Sequence, residues 1–500
     1  MGMMRFIVQP PELLQRLPGL QQAYLSGMDG RIFPTRVQVE GNMLSCIRPM
    51  SESCRLNIAY PVPGKGRPVL CTTSLRERDE PYDLTLELAR GKLSEIRESC
   101  AIWELAGMMI PDAFRKLQRE AFASFSAAAT ASASASPDSP PPHELAAAAI
   151  EAACTAAGLL MDAYTIQRLA NIRRTRHQSA GLLGCVVDES LLAEAGQQVF
   201  RQAFNTMSVP LDWKSIEAQE GQYHWETVDR LIEYGVEHRV LLRGGPLIDL
   251  STGGLPAWLA PWAKDFLNLP SFVCDFIETA ICRYQGIVRL WEVSAYGNTG
   301  GAFELSEDQC LALVARTLET AKRINGDAQF FVRIDCPWGE YQRTGQFRLS
   351  PFQFVDALVR SNLGLDGVTL DLNAGYGPQA CRPRDMLSIS KLIDFWSQLQ
   401  IQIHVNVACP SSSTSDPLAH PGYSVEDQVW HERWSPQTQA DWMEFIAPVL
   451  LAKPAVTGVF LSNLSDQFPH RYPHAGMIDA DGHCKPMFDP WRRLLHQDLS

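Results

Sequence analysis

The stretch LWEVSAYGNTGG, residues 290–301, reads as a β-strand running straight into a glycine-containing loop. Seven further runs have the same character: LLGCVVD, FNTMSVPLDW, VLLRGGPLI, QFFVRIDCPW, GVTLDLNAG, IQIHVNVAC and VTGVFLSNL. Amphipathic stretches of helical period lie between them, among them WETVDRLIEYGVEH, SFVCDFIETAICRY, SEDQCLALVARTLETAKRI, SPFQFVDALVRSNLG and SPQTQADWMEFIAPVLLA. Several open on a serine placed as a helix N-cap. Eight strand–helix units predict an α/β fold, a (β/α)8 TIM barrel with its chemistry at the C-terminal ends of the strands. An open doubly wound sheet is the alternative, and the first strand lacks the glycine-rich phosphate turn that such a sheet carries.

Upstream, residues 30 to 90 alternate in short runs such as TRVQVEGNMLSCI and CRLNIAYPV, separated by Gly, Pro, Ser and Asp. They predict a small β-sandwich-like domain with helical elements. Two helical stretches follow, interrupted at 126–144 by SAAATASASASPDSPPPHE, whose composition builds no core and predicts a flexible insert at the tip of a helical hairpin. The expected division is 1–110 for the β domain with its following helix, 111–178 for the hairpin and 179–500 for the barrel.

The chain has 500 residues, 46% of them apolar, and a formal net charge of −12. That length exceeds what one core usually supports, and the acidic balance disfavours nucleic acid or an anionic membrane as a partner. The short cationic run RRTRH at 173–177 reads as a solvated helix face. The N-terminus, MGMMRFIVQPPELL, has no cationic segment leading into an apolar one, and no uninterrupted apolar segment of membrane-spanning length is evident, so a cytoplasmic location is expected. Thirteen cysteines without a C-x-x-C pair read as reduced core thiols.

From residue 180 onward the sequence resembles glycoside hydrolase family 10, the xylanase family. The resemblance rests on Trp213, Glu217, Gly221, Tyr223 and Asp229 around the second strand, and on Leu255, Pro256 and Trp258 after the third. RYQGIVRLWEV before the fourth strand and the closing MIDADGHCKPMFDPW extend it. The resemblance implies a retaining glycosidase with two carboxyl groups about 5 Å apart, one acting as acid and base, the other as nucleophile. The family's acid/base glutamate falls on Tyr296 and its nucleophile on His404. Its sugar-binding runs are altered as well, at Val209 to Trp213, Gly244 to Leu247 and Asp371 to Asn373.

Other acids stand at strand ends: Asp188, Asp249, Asp335 and Asp371, with Glu340 just past the fifth strand and Glu292 within the fourth. By strand alternation Glu292 lies beneath Tyr296 on one face, an ion-paired layer residue beside Arg333 rather than a general acid. The loop RIDCPWGEY joins acids to aromatic rings on the catalytic side. A rebuilt acid pair would come from Glu340 or Asp335 with Asp371, and the expected sugar-contacting residues are Trp213, Trp291, Asn298, Arg333, Trp338, Asn373 and Asn406. His470 and His474 in HRYPH are four apart, but Pro473 makes the segment a loop and no third ligand is evident, so neither metal nor cofactor is expected. Two functions remain open: a divergent hydrolase of a β-linked glycan, and a non-catalytic descendant that binds a sugar or a protein. Two acids converging at a catalytic separation mark the first; an isolated acid marks the second.

Overall fold

The computed structural model describes residues 2–17, 19–131, 140–176, 181–264, 266–378, 381–427, 430 and 433–496. Eight parallel strands close into a barrel: β1 (Leu182–Val186), β2 (Thr206–Val209), β3 (Leu241–Gly244), β4 (Leu290–Ala295), β5 (Gln329–Ile334), β6 (Gly367–Asn373), β7 (Gln402–Ala408) and β8 (Val456–Leu461). Each pairs with the next, and β8 returns to β1 through Gly458 opposite Leu182 and Leu461 opposite Cys185. The strands expected from the sequence are the strands of the barrel.

Side-chain alternation divides each strand between two environments. Leu183, Met207, Leu242, Trp291, Val332, Leu370, Val405 and Val459 face outward into a core shared with the helices. The inward face is unusually polar. Arg243 on β3 bonds Asn406 on β7 across the barrel at 3.1 Å, and Glu292 on β4 stands 3.4 Å from Arg243 and 3.3 Å from Arg333. Below them, the ring of Phe331 stacks on His404 at 4.0 Å, and Phe460 lies over Arg243. The two phenylalanines fit because the facing strand positions are glycines: a Cβ at Gly184 would run into the Phe460 ring, and one at Gly367 into Phe331.

Serine caps hold three of the outer helices. Ser306 and Ser350 form capping boxes with Gln309 and Gln353, and Ser435 caps Pro436–Leu451. Ser271 does not cap: helix Leu269–Arg283 starts earlier, with Pro270 in its first turn where a missing N–H costs nothing.

The N-terminal part has two four-stranded sheets, one containing Gly2–Ile7, Arg36–Glu40, Met43–Arg48 and Tyr82–Asp83, the other Tyr24–Ser26, Ile32–Phe33, Arg55–Ala59 and Val69–Cys71. Helices Leu84–Leu105, Asp112–Thr130 and Pro142–Arg176 follow. The alanine-rich start of the expected insert is helical to Thr130, and helix resumes at Pro142; residues 132–139 between them lie outside the described residues. Alanine's high helix propensity explains why the ordered ends reach further than composition indicated. The segment Pro142–Arg174 is long and apolar enough to cross a membrane, a length the sequence reading did not credit. Here its Ala149 and Ile150 enter the core of the sheets, while Leu160 and Met161 enter the core of the barrel.

The sheets dock on loops at the C-terminal ends of β5 and β6. Thr35 N donates to Arg343 O at 2.9 Å and Val69 N to Pro383 O at 2.8 Å. Between them Arg384 Nη2 donates to Glu340 Oε1 at 2.7 Å and to Tyr24 Oη at 2.6 Å, while Glu340 Oε2 accepts from Arg382 N at 3.1 Å. Lys92, buried midway along the first long helix, pairs with Asp385 in the same contact region. Glu340 is therefore a docking residue. Glu340→Gln keeps its shape and leaves the buried Arg384 without a counter-charge, so a loss of about 3 kcal/mol is expected. Urea denaturation reads it directly, and a change below about 0.5 kcal/mol contradicts the assignment.

Candidate functional site at the barrel mouth

Three acids and three tyrosines meet where β4, β5 and β6 end. Tyr296 follows β4 in the left-handed region, φ 60°, a conformation that costs a non-glycine residue energy and persists only where its surroundings fix it. Its hydroxyl donates to Asp371 Oδ2 at 3.0 Å. Tyr472 donates to the same oxygen at 3.3 Å and accepts from Asn373 Nδ2 at 2.9 Å. Asp371 Oδ1 accepts from Asn406 at 3.1 Å and lies 3.6 Å from Arg333 Nε. Both oxygens of this carboxyl are thus engaged by protein groups. Burial raises its pKa, with Arg333 opposing and Glu292 adding to the rise.

Asp335 ends β5 beside it. One oxygen accepts from the Cys336 N–H at 2.9 Å, and Asn298 pins the backbone on either side by accepting from Asp335 N and donating to Asp335 O. Burial, then the neighbouring Asp371, pushes the Asp335 carboxyl up to about 7. The mouth thus contains an aspartate that holds its proton to near neutrality.

A residue from the far end of the chain closes the mouth. The Arg471 guanidinium lies 3.6 Å from the centre of the Tyr296 ring and 5.6 Å from that of Tyr423, and Nη1 reaches Asp249 Oδ2 at 2.9 Å. Burial works against the ionised Asp249, but Arg471 and Ser251 outweigh it and hold the carboxyl below its usual range. Tyr296 and Asp371 are 1% and 2% exposed beneath this layer. His470 anchors the segment, with Nε2 2.9 Å from Asp416 and Nδ1 2.7 Å from Phe468 O.

Of the residues expected here, Asp335, Asp371, Tyr296, Arg333, Asn298, Asn373 and Asn406 come together. The amides of Asn298, Asn373 and Asn406 all bond to protein groups. The others lie elsewhere. Trp291 faces the helices, its indole N–H on Val288 O. Trp213 stacks on Phe276 and donates to Glu217, outside the barrel wall. Trp338 packs beneath Arg384 on the docking side, near Glu340. His404 lies deeper than the mouth, and neither ring nitrogen has a hydrogen-bond partner among the described residues; burial, then Arg243, holds the imidazole uncharged. Arg471, Tyr472 and Tyr423 were not anticipated. HRYPH was noticed for its histidines, whereas the Arg and Tyr between them enter the mouth.

The raised Asp335 pKa has a stability consequence of definite sign. An unfolded aspartate ionises near pH 4 while the folded one keeps its proton to about pH 7. The folded state therefore binds more protons across that window, and its stability falls as pH rises from 4 to 7. Asp335→Asn removes this fall, so the variant's advantage grows across the window to at most about 4 kcal/mol above pH 7. Urea midpoints at pH 5 and pH 8 measure it; an equal difference at both contradicts the assignment.

A model of glycosyl hydrolase family 10 matches residues 172–296, which hold β1 to β4 and Tyr296. Endo-1,4-beta-xylanase 3 of Hypocrea jecorina is 28% identical over 113 residues, 22% of this chain and 32% of that protein. Endo-1,4-beta-xylanase 2 of Claviceps purpurea is 29% identical over 115 residues, 22% of this chain and 34% of that one. The chain thus spans about a third of the length of these curated relatives. Among solved structures, xylanase 10B of Thermotoga maritima aligns with 65% of this chain and 98% of its own at 16% identity and a TM-score of 0.48. Xylanase B of Clostridium stercorarium F9 gives the same coverage, identity and score. The family match thus falls on the first half of a closed eight-stranded parallel barrel, and over that half the chain is similar to the family 10 xylanases.

Proposed function

We propose that the barrel is a divergent family 10-like protein that binds a β-linked oligosaccharide at its mouth without cleaving it by the two-carboxylate route. The observation that carries this is the state of Asp371, 2% exposed beneath Tyr296 and Arg471, with Oδ2 accepting from both Tyr296 and Tyr472 and Oδ1 accepting from Asn406 opposite Arg333. A nucleophilic carboxylate needs an oxygen open to the anomeric carbon, and a general base needs one open to water. Asp335 is left as one available acid without a partner. Tyr296 does not replace the nucleophile, because burial holds its hydroxyl well above the ordinary phenol range and it donates its hydrogen bond to Asp371. What supports saccharide binding is the family match together with tyrosine faces and charged groups at strand ends, where this fold collects ligands.

Hydrolysis is the second reading, favoured by one observation: an acid raised to about 7 next to another carboxyl is the arrangement a general acid requires. The two are separated with purified protein, aryl β-xylosides and β-linked xylo- and gluco-oligosaccharides. Binding measurable by calorimetry with no product release above the blank is expected. Turnover that disappears in Asp335→Asn would overturn the binding-only reading, and absence of both binding and turnover would remove the saccharide itself.

A further inference from the structure

Taking the saccharide reading as its basis, we infer that the mouth is built for a cation, and that its ligand is an amino sugar whose protonated amine takes the place now held by the Arg471 guanidinium. Arg471 behaves as an internal ligand. Its charged end lies on the face of Tyr296 at 3.6 Å and within reach of Tyr423, whose hydroxyl accepts from Nε at 3.3 Å. The third contact is the Asp249 carboxylate at 2.9 Å. Two aromatic rings and a carboxylate around one positive group form the kind of cage that recognises ammonium ions through the negative faces of the rings.

Charge around the mouth agrees with this. Asp249, Asp371 and Glu292 are set against Arg471, Arg333 and Arg243, with Asp335 holding its proton beside them. Arg333 and Arg243 are committed to the barrel interior, so removing Arg471 leaves carboxylates in excess over a ring of tyrosines. A neutral sugar hydroxyl entering there would leave the partly buried Asp249 without a counter-charge. A protonated amine compensates it. The exchange is also sterically local: the Arg471 side chain is 21% exposed at the rim, and the Asp249 side chain 20%, while Tyr296 beneath is buried. Rotation of the Arg471 side chain takes the guanidinium off the ring face.

The position of Tyr296 adds to the argument. It is held in a left-handed conformation at the end of β4, with its hydroxyl fixed on Asp371 and its ring face presented to the guanidinium. That strain is sustained for an orientation, and the orientation serves a cation on the ring.

The test uses the full chain and Arg471→Ala, with Arg471→Gln as the variant that keeps most of the side-chain volume should the alanine variant not fold. Methylguanidinium is the first probe: it is expected to raise the Tm of the variant and not of the parent, and to lose this effect when Asp249→Asn is added. Calorimetry with the β-1,4-linked disaccharide of glucosamine, its N-acetylated form and xylobiose follows. The variant is expected to bind the free-amine disaccharide at least tenfold tighter than either neutral one and at least tenfold tighter than the parent does. Equal affinity for amine and neutral disaccharides overturns the cation inference and leaves saccharide binding standing. A methylguanidinium effect with none of the disaccharides bound overturns the amino-sugar assignment and the saccharide reading together. No methylguanidinium effect and no preference for the amine overturns the cage itself.

Discussion

The barrel depends on a ladder of charge running up its axis. Arg243, Glu292, Arg333 and Asp371 alternate in sign from the middle of the barrel to its mouth, at separations of 3.4, 3.3 and 3.6 Å. Small barrels of this fold ordinarily fill the interior with layers of branched apolar side chains. Here burial drives the Arg243 pKa down to about 10 against the pull of Glu292, while Glu292, which burial alone would raise, is held below its normal range by the two arginines around it. Such a ladder is stable only as a whole: each member is the solvation of the next, and an uncompensated charge in this interior would cost several kcal/mol.

That constraint propagates to the mouth. Asp371 is the last rung, and the two tyrosines on Oδ2 and Asn406 on Oδ1 finish its solvation. Asp335 stands off the ladder and therefore retains its proton to near neutrality. Arg471 restores charge balance at the rim through Asp249. The chemistry of the mouth follows from where the ladder ends.

The fold was legible because its signals are local. Alternation along a strand and the 3.6 period of the helices are carried by neighbouring residues, and the relation of Glu292 to Tyr296 and Arg333 follows from them. The site was less legible because its decisive contacts are remote. Glu340 lies in the loop that appeared richest in chemistry, yet its partners come from 44 residues downstream and, through Arg384, from Tyr24 in the other domain. Nothing in RIDCPWGEY indicates that a sheet docks on it. Trp291 was misplaced for a different reason: strand period alone sets it opposite Glu292, on the helix side, but the family pattern drew it into the site. Trp213 likewise belongs to an aromatic cluster behind the wall with Phe276, Trp225 and Trp258.

A tyrosine rather than an acid at position 296 determines what its neighbours can do. A glutamate there would add a carboxylate beside Asp335 and Asp371, and like charges crowded in a low-dielectric site compel one group to stay protonated. The tyrosine contributes a donor to Asp371 instead, and its ring offers a negative face without a full charge. Hydrolysis by paired carboxyls and recognition by an aromatic face make opposite demands on that strand end: the first needs acids with free oxygens, the second needs those oxygens occupied so that the ring stays fixed. On the proposed reading, the hydrogen bonds on Asp371 and the guanidinium on Tyr296 serve the second demand.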